Sequence, residues 1–382
     1  MALPTQMGGA KEGLTDISAW LTSGPYSWDR AEKQANLSAR LHELTAFHFD
    51  RCLPYRRILN AVGFDPQRPV PVVDIPFLPV RLFKELDLAS VDSDEIVKTM
   101  TSSGTTGQLV SRIYLDKETA TNQTRVLTRL VSTVIGPRRL PMIVIDSPDV
   151  VSDRSKFSAR GAGILGFSMF ARDRIFALNS DMTLDVDVVE EFLARHTEEP
   201  ILVFGFTFMI WQHFYKVLRD SGHQMDLSRA VVLHGGGWKK LAGEAVSTWD
   251  FRDGLQKVGR VSRVHDYYGM VEQTGSIHLE CEAGHLHASI FSDVVIRRPF
   301  DFSPADMGEK GLIQVISILP TSYPGHSLLT EDEGVVLGED DCTCGRLGKY
   351  FAVTGRVKNA ELRGCSDTYG ASLADELLQV GS

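Results

Sequence analysis

The chain has 382 residues, a hydrophobic content of 43% and a formal net charge of −9. This length favours one large folded domain with a smaller additional piece, and the negative charge, without a cluster of basic residues, argues against nucleic acid as a partner. The five cysteines are an odd number in a long chain and do not fit the disulfide framework of a secreted protein.

The first part of the chain is predicted to be mainly helical. Residues 1–23 lack a basic segment followed by an apolar run, and no later stretch reaches the roughly 20 apolar residues of a membrane span. We therefore expect a cytoplasmic protein without a membrane span. Apolar residues recur at three- and four-residue spacings over residues 28–49. His42 and His48 lie there on different helix faces, so we expect structural roles for both. The proline-rich residues 67–83 predict an extended connector.

From residue 111 onward, strand-like and helix-like segments alternate. The expected order is strand 111–115, helix 117–135, strand 142–145, helix 184–196, strand 201–204, helix 208–221 and strand 230–233. Later segments are strand-rich, at residues 287–297, 311–318 and 327–337, and a last short helix is expected over 371–380. This pattern predicts an α/β fold with a parallel or mixed sheet flanked by helices.

A loop of hydroxyl-bearing residues and glycines precedes the first of these strands: Thr101, Ser102, Ser103, Gly104, Thr105, Thr106 and Gly107. Its backbone N–H and side-chain O–H groups suit an anion, and a phosphate chain is the obvious guest. It is not a Walker A motif, because no Gly-Lys-Ser/Thr follows. A polar surface loop is the alternative.

Two further motifs lie at predicted strand ends. In DYYGMVEQT (residues 266–274), Tyr268 is placed to stack on a base and Glu272 to hold Mg²⁺; a core tyrosine and a surface glutamate are the alternative. In LHGGGW (residues 233–238), three glycines follow a strand, at the position where α/β sheets bind ligands. A plain tight turn would explain the same glycines.

Three cysteines and two histidines form a candidate metal site. Cys281 starts the sequence CEAGHLH, and Cys342 and Cys344 follow downstream. With His285 or His287 they would make a closed Cys₃His site, for which structural zinc is the expected occupant. Reduced, inert cysteines are the alternative.

Cys365 is a candidate nucleophile. A glycine precedes it and Arg363 is close in sequence, and a neighbouring cation lowers a thiol pKa. An inert single cysteine is the more common case. The aromatic residues 204–211 (FGFTFMIW) either line an acyl or aryl pocket or pack a helix on the sheet.

Taken in order, these motifs resemble the adenylate-forming enzymes, in the branch that contains the phenylacetate–CoA ligases and the acyl-protein synthetase (LuxE) of bacterial luminescence. The resemblance spans nearly the whole chain. It rests on IPFLPVRLFK (75–84), residues 101–107 with SRI (111–113), LHGGGWK (233–239), YGMVE (268–272), ECEAGHLH (280–287), CTCGR (342–346), GR (355–356) and RGCSD (363–367).

The resemblance implies a role for each matched position. The loop from Thr101 to Gly107 would hold the β- and γ-phosphates of ATP, and Glu272 would be the Mg²⁺-associated glutamate. Asp332 would bind the ribose hydroxyls, and Arg356 would open the hinge region. The other roles are adenine contact by Gly235, Gly236, Gly237 and Tyr268, zinc binding by Cys281, His287, Cys342 and Cys344, and acyl acceptance by Cys365.

The chain departs from the wider superfamily at several points. Arg112 stands where a lysine usually follows the phosphate loop, or that lysine is missing, and Glu331 stands where glycine is common. Only 26 residues follow Arg356, too few for the C-terminal domain that carries the adenylation lysine in full-length relatives; whether Lys358 compensates stays open. We therefore expect an adenylation domain over 1–354, with a mainly helical region at 1–95, and a shortened C-terminal segment over 355–382.

The expected reaction is ATP-dependent activation of a carboxylic acid, in the first place a fatty acid, followed by thioester formation on Cys365. The acyl group would pass to a reductase, a carrier protein or coenzyme A. Two alternatives stay open: a ligase that acylates coenzyme A or a carrier protein without a covalent acyl-enzyme, and a catalytically silent nucleotide-binding module.

Overall fold

The computed structural model describes residue 11 and residues 13–102, 110–152, 159–238 and 245–357. Within these ranges the chain forms the expected α/β fold, with one twelve-stranded mixed sheet flanked by helices and a separate two-stranded sheet. Among the described residues, no helix is both long enough and apolar enough to cross a membrane.

The helices fall mostly in the N-terminal two thirds of the described chain. Their bounds are α1 Ser18–Thr22, α2 Arg30–Arg51, α3 Leu53–Ala61, α4 Leu82–Glu85, α5 Lys117–Ile135, α6 Asp149–Ser152, α7 Ala159–Phe167, α8 Val186–Arg195, α9 Thr207–Met209, α10 Lys216–Ser221 and α11 Thr248–Gly259. A π-helical turn, Ile210–Tyr215, joins α9 to α10. The helical pattern expected over residues 28–49 is thus confirmed as α2.

The strands follow the expected alternation and then dominate after residue 263. Their bounds are β1 Leu78–Pro79, β2 Ile96–Thr101, β3 Arg112–Asp116, β4 Leu140–Val144, β5 Ala171–Phe176, β6 Ile201–Phe206, β7 Ala230–Gly235, β8 Arg263–Tyr268, β9 His278–Glu280, β10 Leu286–His287, β11 Ser292–Arg297, β12 Gly311–Ser317, β13 Ser327–Glu339 and β14 Lys349–Arg356.

The large sheet has a parallel half and a mainly antiparallel half. Strands β5, β4, β6, β7 and β8 are parallel neighbours in that order. From β8 the sheet continues antiparallel through β9, β10, β14, β13, β12 and β11, and β1 joins β13 in parallel. Because ligands bind at the carboxyl ends of parallel strands, the ends of β7 and β8 mark the expected site.

Both faces of the sheet are covered by apolar packing. The N-terminal helices and α5 pack on one face, where Leu37, Leu41 and Leu130 are fully buried. Helices α8, α10 and α11 cover the parallel strands from the other face. His48 is buried, and its ring nitrogens lie 2.7 Å from the Ser90 hydroxyl and 3.0 Å from the Pro320 carbonyl, which agrees with a structural role.

Two features bear on the domain division expected from the sequence. Residues of α2 share one hydrophobic core with strands of the sheet, so the helical region packs as part of the larger body. Strand β14 runs to Arg356, which pairs with Asp332 of β13. The strand thus extends past the expected boundary at residue 354, and the division itself stays a prediction. The helix expected over 371–380 lies outside the described residues.

One predicted strand was wrong in its extent. Residues 287–297 were expected to be continuous, yet β10 ends at His287 and β11 begins at Ser292. The interruption is a turn in which the Ser289 hydroxyl accepts a hydrogen bond from the Phe291 N–H at 3.2 Å, a serine turn that competes with strand pairing.

Candidate functional site

The three glycines after β7 form a turn that only glycine fits well. Gly236 and Gly237 have φ angles of +80° and +59°, in the left-handed region where a side chain is strained. A Cβ atom at Gly236 would overlap the ring of Phe206, and one at Gly235 would overlap the ring of Tyr267. We call Gly235, Gly236 and Gly237 the glycine turn; neighbouring rings leave no room for a side chain at Gly235 or Gly236.

A buried hydrogen-bond chain fixes the start of the glycine turn. The Thr207 hydroxyl donates to the Gly235 carbonyl at 3.2 Å and lies 2.9 Å from His234 Nδ1. Burial, reinforced by the nearby Arg252, lowers the pKa of His234 to about 3, so the ring is neutral. Since the only hydroxyl proton of Thr207 is used on the carbonyl, His234 carries its proton on Nδ1 and donates it to Thr207. The sequence analysis gave Thr207 no role.

The resemblance implies that the glycine turn borders the adenine of ATP. On that expectation Gly236→Ala should weaken ATP binding by roughly tenfold or more, because alanine at this φ costs roughly 1–2 kcal/mol and must displace the Phe206 ring. Gly237→Ala is the matched control, since its φ is also positive but nothing lies within 4 Å of the added Cβ. Titration calorimetry with ATP measures both. Equal losses in the two variants would contradict the importance of the Phe206 contact.

Asp266 places a carboxyl group beside the glycine turn, and loss of solvation together with the nearby Glu280 charge raises its pKa to about 8. Its side chain is 41% exposed, and one oxygen lies 3.5 Å from His234 Nδ1. Its backbone N–H donates to the Glu280 carboxylate at 2.9 Å, and Arg252 pairs with the same Glu280 oxygen at 2.7 Å. The sequence analysis included Asp266 in its motif without a function; its position directly before Tyr-Tyr-Gly at a strand end was the available signal.

Tyr268 and Asp332, predicted to contact adenine and ribose, lie next to each other. The Tyr268 hydroxyl donates to Asp332 Oδ2 at 2.8 Å. Burial, together with the Asp332 charge, raises the pKa of Tyr268 well above its ordinary value. Burial also raises the pKa of Asp332, while the Tyr268 hydroxyl and Arg356 partly oppose that rise. The phenol is therefore the donor of this hydrogen bond.

Glu272 is buried rather than at the surface, with only 6% of the residue exposed. Burial raises the pKa of its carboxyl group, and the neighbouring Ser111 hydroxyl and Lys84 ammonium partly offset this. Its backbone carbonyl accepts a hydrogen bond from Tyr323 at 2.8 Å. Burying a carboxylate is costly unless its negative charge is used, and binding a metal ion is one such use.

The described ends of the hydroxyl-glycine loop lie beside Glu272. Thr101 closes β2 and pairs with Arg112 of β3, and the Ser102 hydroxyl accepts from the Ser111 N–H at 2.9 Å. Ser111 is also the neighbour of Glu272. The hairpin thus brings Ser102, at the start of the loop, and Ser111, beyond its end, to the predicted Mg²⁺ position, while Ser103, Gly104, Thr105, Thr106 and Gly107 lie outside the described residues.

The two arginines singled out from the sequence are both in ion pairs. Arg356 Nη2 lies 2.6 Å from Glu331 Oε2, so the glutamate that departs from the usual glycine holds the predicted hinge arginine. The Val357 N–H donates to the Glu331 carbonyl at 3.0 Å. Arg112, considered as a substitute for the missing lysine, pairs with Asp87 at 2.8 Å.

The four predicted metal ligands converge. The ligand atoms of Cys281, His287, Cys342 and Cys344 all lie within 4.8 Å of one another, and His287 Nε2 is 3.4 Å from Cys344 Sγ. His285 Nδ1 is also 3.4 Å from Cys342 Sγ, but only His287 belongs to the set in which every pair is close. Three thiols and one imidazole at such distances fit a tetrahedral site for a soft divalent metal.

The aromatic residues 204–211 mostly pack into the body of the protein. Phe204 stacks on Phe167 with ring centroids 4.5 Å apart, and Trp211 stacks on Phe251 at 5.7 Å. Phe206 instead lies against the glycine turn. A pocket-lining role is therefore best supported for Phe206 among these residues and stays a prediction. Cys365 and Lys358 lie outside the described residues.

Comparison with known proteins places the whole chain in one group. The model of the family described as acyl-protein synthetase, LuxE, matches residues 10–374. A long-chain-fatty-acid–luciferin-component ligase of Vibrio harveyi is 23% identical over 367 residues, covering 92% of each chain. The ligase of the same name from Aliivibrio fischeri is 22% identical over 329 residues, covering 82% of each.

Solved structures with the same fold are adenylate-forming ligases. A 2-hydroxyisobutyryl-CoA ligase, crystallised in an open conformation with 2-HIB-AMP and CoA, superposes with a TM-score of 0.68 at 16% identity, covering 88% of this chain and 77% of that one. Its postadenylation state gives a TM-score of 0.66, also at 16% identity, covering 87% and 70%. The chain belongs to the acyl-protein synthetase (LuxE) family and is an ATP-dependent, AMP-forming ligase that activates an acid as its acyl-adenylate.

Proposed function

We propose that this protein activates a fatty acid with ATP, transfers the acyl group to its own Cys365 as a thioester, and delivers it to a partner protein. The observation that carries the ATP half of this proposal is a pair of contacts: the Tyr268 hydroxyl binds Asp332, and Glu272 lies beside Ser111, whose N–H binds the Ser102 hydroxyl at the start of the hydroxyl-glycine loop. The names of the two relatives favour a long-chain fatty acid as the substrate.

Each of these groups has a proposed role in binding ATP. The adenine lies between the glycine turn and the Tyr268 ring, and Asp332 accepts hydrogen bonds from the ribose hydroxyls. The hydroxyl-glycine loop binds the β- and γ-phosphates through N–H and O–H donors. Glu272 is the Mg²⁺ ligand, and a bound Mg²⁺ supplies charge stabilisation to the phosphates.

The first step joins the acid to the nucleotide. A carboxylate oxygen of the acid attacks the α-phosphorus of ATP, the bond from that phosphorus to the bridging oxygen breaks, and pyrophosphate leaves with the electron pair. The site lowers the barrier by orienting both substrates and by opposing the negative charge that develops on the phosphates. Arg356 is the cation proposed to act there, released from Glu331 when the phosphates are present.

The second step moves the acyl group to sulfur. The Cys365 thiol loses its proton, and the thiolate attacks the carbonyl carbon of the mixed anhydride; the carbon–oxygen bond to phosphate breaks and AMP leaves. Val357 is fixed at the end of β14, and Cys365 follows eight residues later. Its Cα therefore lies within roughly 29 Å of the Val357 Cα, whatever the path between them. A tether of this length is compatible with the nucleophilic role proposed for Cys365.

Zinc is the proposed occupant of the Cys281, His287, Cys342 and Cys344 cluster. With four protein ligands no position is open for a substrate, so the metal has a structural role. The cluster joins the turn between β13 and β14 to the hairpin of β9 and β10, and it would fix the strands that carry Asp332 and Arg356.

The deciding experiment incubates the purified full chain with ATP, Mg²⁺ and one radiolabelled acid at a time: tetradecanoate, octanoate, phenylacetate or 2-hydroxyisobutyrate. We expect acid-dependent ATP–pyrophosphate exchange with tetradecanoate, and label that stays on the protein in a denaturing gel and is released by hydroxylamine. Cys365→Ser should keep the exchange and lose the label, because only the second step needs the thiol. Cys52→Ala, at a buried cysteine outside the metal cluster, is the matched control.

Two other results would indicate a different function for the protein. Rapid thioester formation on free coenzyme A by Cys365→Ser, without label on the wild-type chain, would identify a ligase that uses an external thiol. No acid-dependent exchange with any of the acids, despite ATP binding, would leave a nucleotide-binding regulatory module.

A further inference from the structure

The Tyr268 hydroxyl connects the two halves of the nucleotide site. Tyr268 is the last residue of β8, in the parallel half of the sheet, whereas Asp332 lies on β13 in the antiparallel half. Three strands, β9, β10 and β14, separate β8 from β13 in the sheet order. The hydrogen bond of 2.8 Å from the Tyr268 hydroxyl to Asp332 Oδ2 therefore joins two strands that are not neighbours in the sheet.

The backbone of Asp332 is fixed independently of this bond. Its N–H donates to the Thr330 hydroxyl at 3.1 Å, and that hydroxyl donates to the Ile313 carbonyl at 2.8 Å. Asp332 also pairs with Arg356 in the ladder between β13 and β14. What the Tyr268 hydroxyl adds is thus the orientation of the carboxylate group, not the placement of the residue.

The charged side chains around Asp332 influence the orientation of its carboxylate. Glu331 and Arg356 form an ion pair of 2.6 Å directly beside it, so the carboxylate has a like charge and an opposite charge as neighbours. Left alone, it would turn towards Arg356. The Tyr268 ring is itself held by packing against Phe351 and His278, each with ring centroids 6.2 Å away, and it presents its hydroxyl from a fixed position.

We propose that the Tyr268 hydroxyl is a positioning group for sugar recognition: it occupies one oxygen of Asp332 and so directs the carboxylate towards the ribose hydroxyls of ATP. This inference rests on the proposed function, in which Asp332 binds the ribose and the Tyr268 ring contacts the adenine. A carboxylate has about four acceptor positions, so one bond from the phenol leaves room for the sugar. The adenine and ribose contacts are thereby coupled through a single side chain.

The test compares binding of ATP and 2′-deoxy-ATP to the full-length wild type and to Tyr268→Phe by titration calorimetry. Phenylalanine keeps the ring and removes only the hydroxyl. We expect the wild type to prefer ATP by roughly tenfold, the size of one hydrogen bond to a charged group. Tyr268→Phe should bind ATP more weakly, bind 2′-deoxy-ATP almost unchanged, and so lose most of that preference.

Two variants serve as references. Tyr267→Phe removes the hydroxyl of the adjacent tyrosine, which packs on Phe167, and should keep the preference for ATP. Asp332→Asn should lose the preference, and adding Tyr268→Phe to it should cause no further loss of discrimination. Because the readout is the ratio of two affinities measured on the same variant, the inference stays testable if Tyr268→Phe proves less stable.

The outcomes separate this inference from the function on which it rests. Equal weakening of both nucleotides in Tyr268→Phe, the result expected of a purely structural tie, would reject the positioning role while leaving ATP activation intact. An unchanged preference would reject it as well. Absence of ATP binding in the wild type would reject the proposed function and this inference together.

Discussion

Replacing Glu272 with glutamine is expected to lower acid-dependent ATP–pyrophosphate exchange by roughly 10²–10³-fold, the range found when one charge-stabilising group is removed from an active site. Glutamine has nearly the same volume, so the packing around this buried position is retained. What is lost is the negative charge that would hold Mg²⁺ beside the Ser111 end of the loop. Exchange measured at several Mg²⁺ concentrations should show that the variant needs a higher Mg²⁺ concentration for half-maximal activity.

The pH dependence of the same reaction gives a second readout. Burial raises the pKa of Glu272, and only the ionised carboxylate can bind Mg²⁺. At limiting Mg²⁺, where Glu272 titrates without a bound cation, wild-type exchange should therefore fall as the pH drops through that raised pKa, above the ordinary glutamate pKa. Glu272→Gln has no proton to gain there, so its residual activity should lack this acidic limb. An acidic limb that persists unchanged in Glu272→Gln would contradict the assignment.

The unfolding temperature of Glu272→Gln shows whether the variant remains folded. A carboxyl group whose pKa is raised by folding stabilises the folded state at low pH, where it is protonated, and this contribution is lost as the pH rises through the raised pKa. At neutral pH, Glu272→Gln should thus unfold at the same temperature as the wild type or higher. Glu309→Gln, at a surface residue paired with Arg298, should leave both exchange and its pH profile unchanged.

The elements that were predicted well are those whose own residues indicate where they begin and end or that they are buried. Helix α5 was expected over residues 117–135 and has these bounds, because the Asp116 side chain caps its first turn through the Thr119 N–H and Gly136 ends it at a positive φ. The strands β6 and β7 were predicted because they are entirely buried and, apart from His234, apolar.

Other elements have no such signal. Strand β14 buries only Phe351 of its eight residues, and every residue of β2 is at least partly exposed, so neither shows the alternation that marks a half-buried strand. The helix expected over 208–221 contains a π-helical turn, which the periodicity of its residues does not reveal. Pairing with distant strands decides such elements, and a single sequence does not display that pairing.

The candidate site was predictable as a set of residues but not as a set of contacts. Glycines and aromatic or acidic residues at strand ends pointed to Gly236, Tyr268 and Glu272 because each stands in a short motif. The partners come from far along the chain: Tyr268 meets Asp332 and Arg356 meets Glu331 only through the order of strands in the sheet. The burial of Glu272, where a surface position was the alternative, has the same origin.

Removing a ligand of the metal cluster is also expected to have a large effect, on zinc binding and on stability. Replacing Cys342 with serine is expected to abolish stoichiometric zinc binding and to lower the unfolding temperature markedly, because structural zinc sites contribute on the order of 10 kcal/mol of binding free energy to the folded state. Loss of zinc should also disturb the nucleotide site. Cys342 and Cys344 lie in the turn between β13 and β14, and these strands carry Asp332 and Arg356. ATP binding by Cys342→Ser should therefore weaken too.

Metal analysis and thermal unfolding of matched variants distinguish the ligands from their neighbours. His287→Asn should lose zinc as Cys342→Ser does, because His287 Nε2 faces Cys344 Sγ at 3.4 Å within the mutually close set. His285→Asn should keep it, since its contact with Cys342 Sγ lies outside that set. Cys52→Ala should also keep zinc, because burial raises the pKa of that thiol to about 11 and it is not a member of the cluster. A wild-type chain that is fully folded and metal-free would show instead that these thiols are simply reduced and inert, and that packing alone closes the turn.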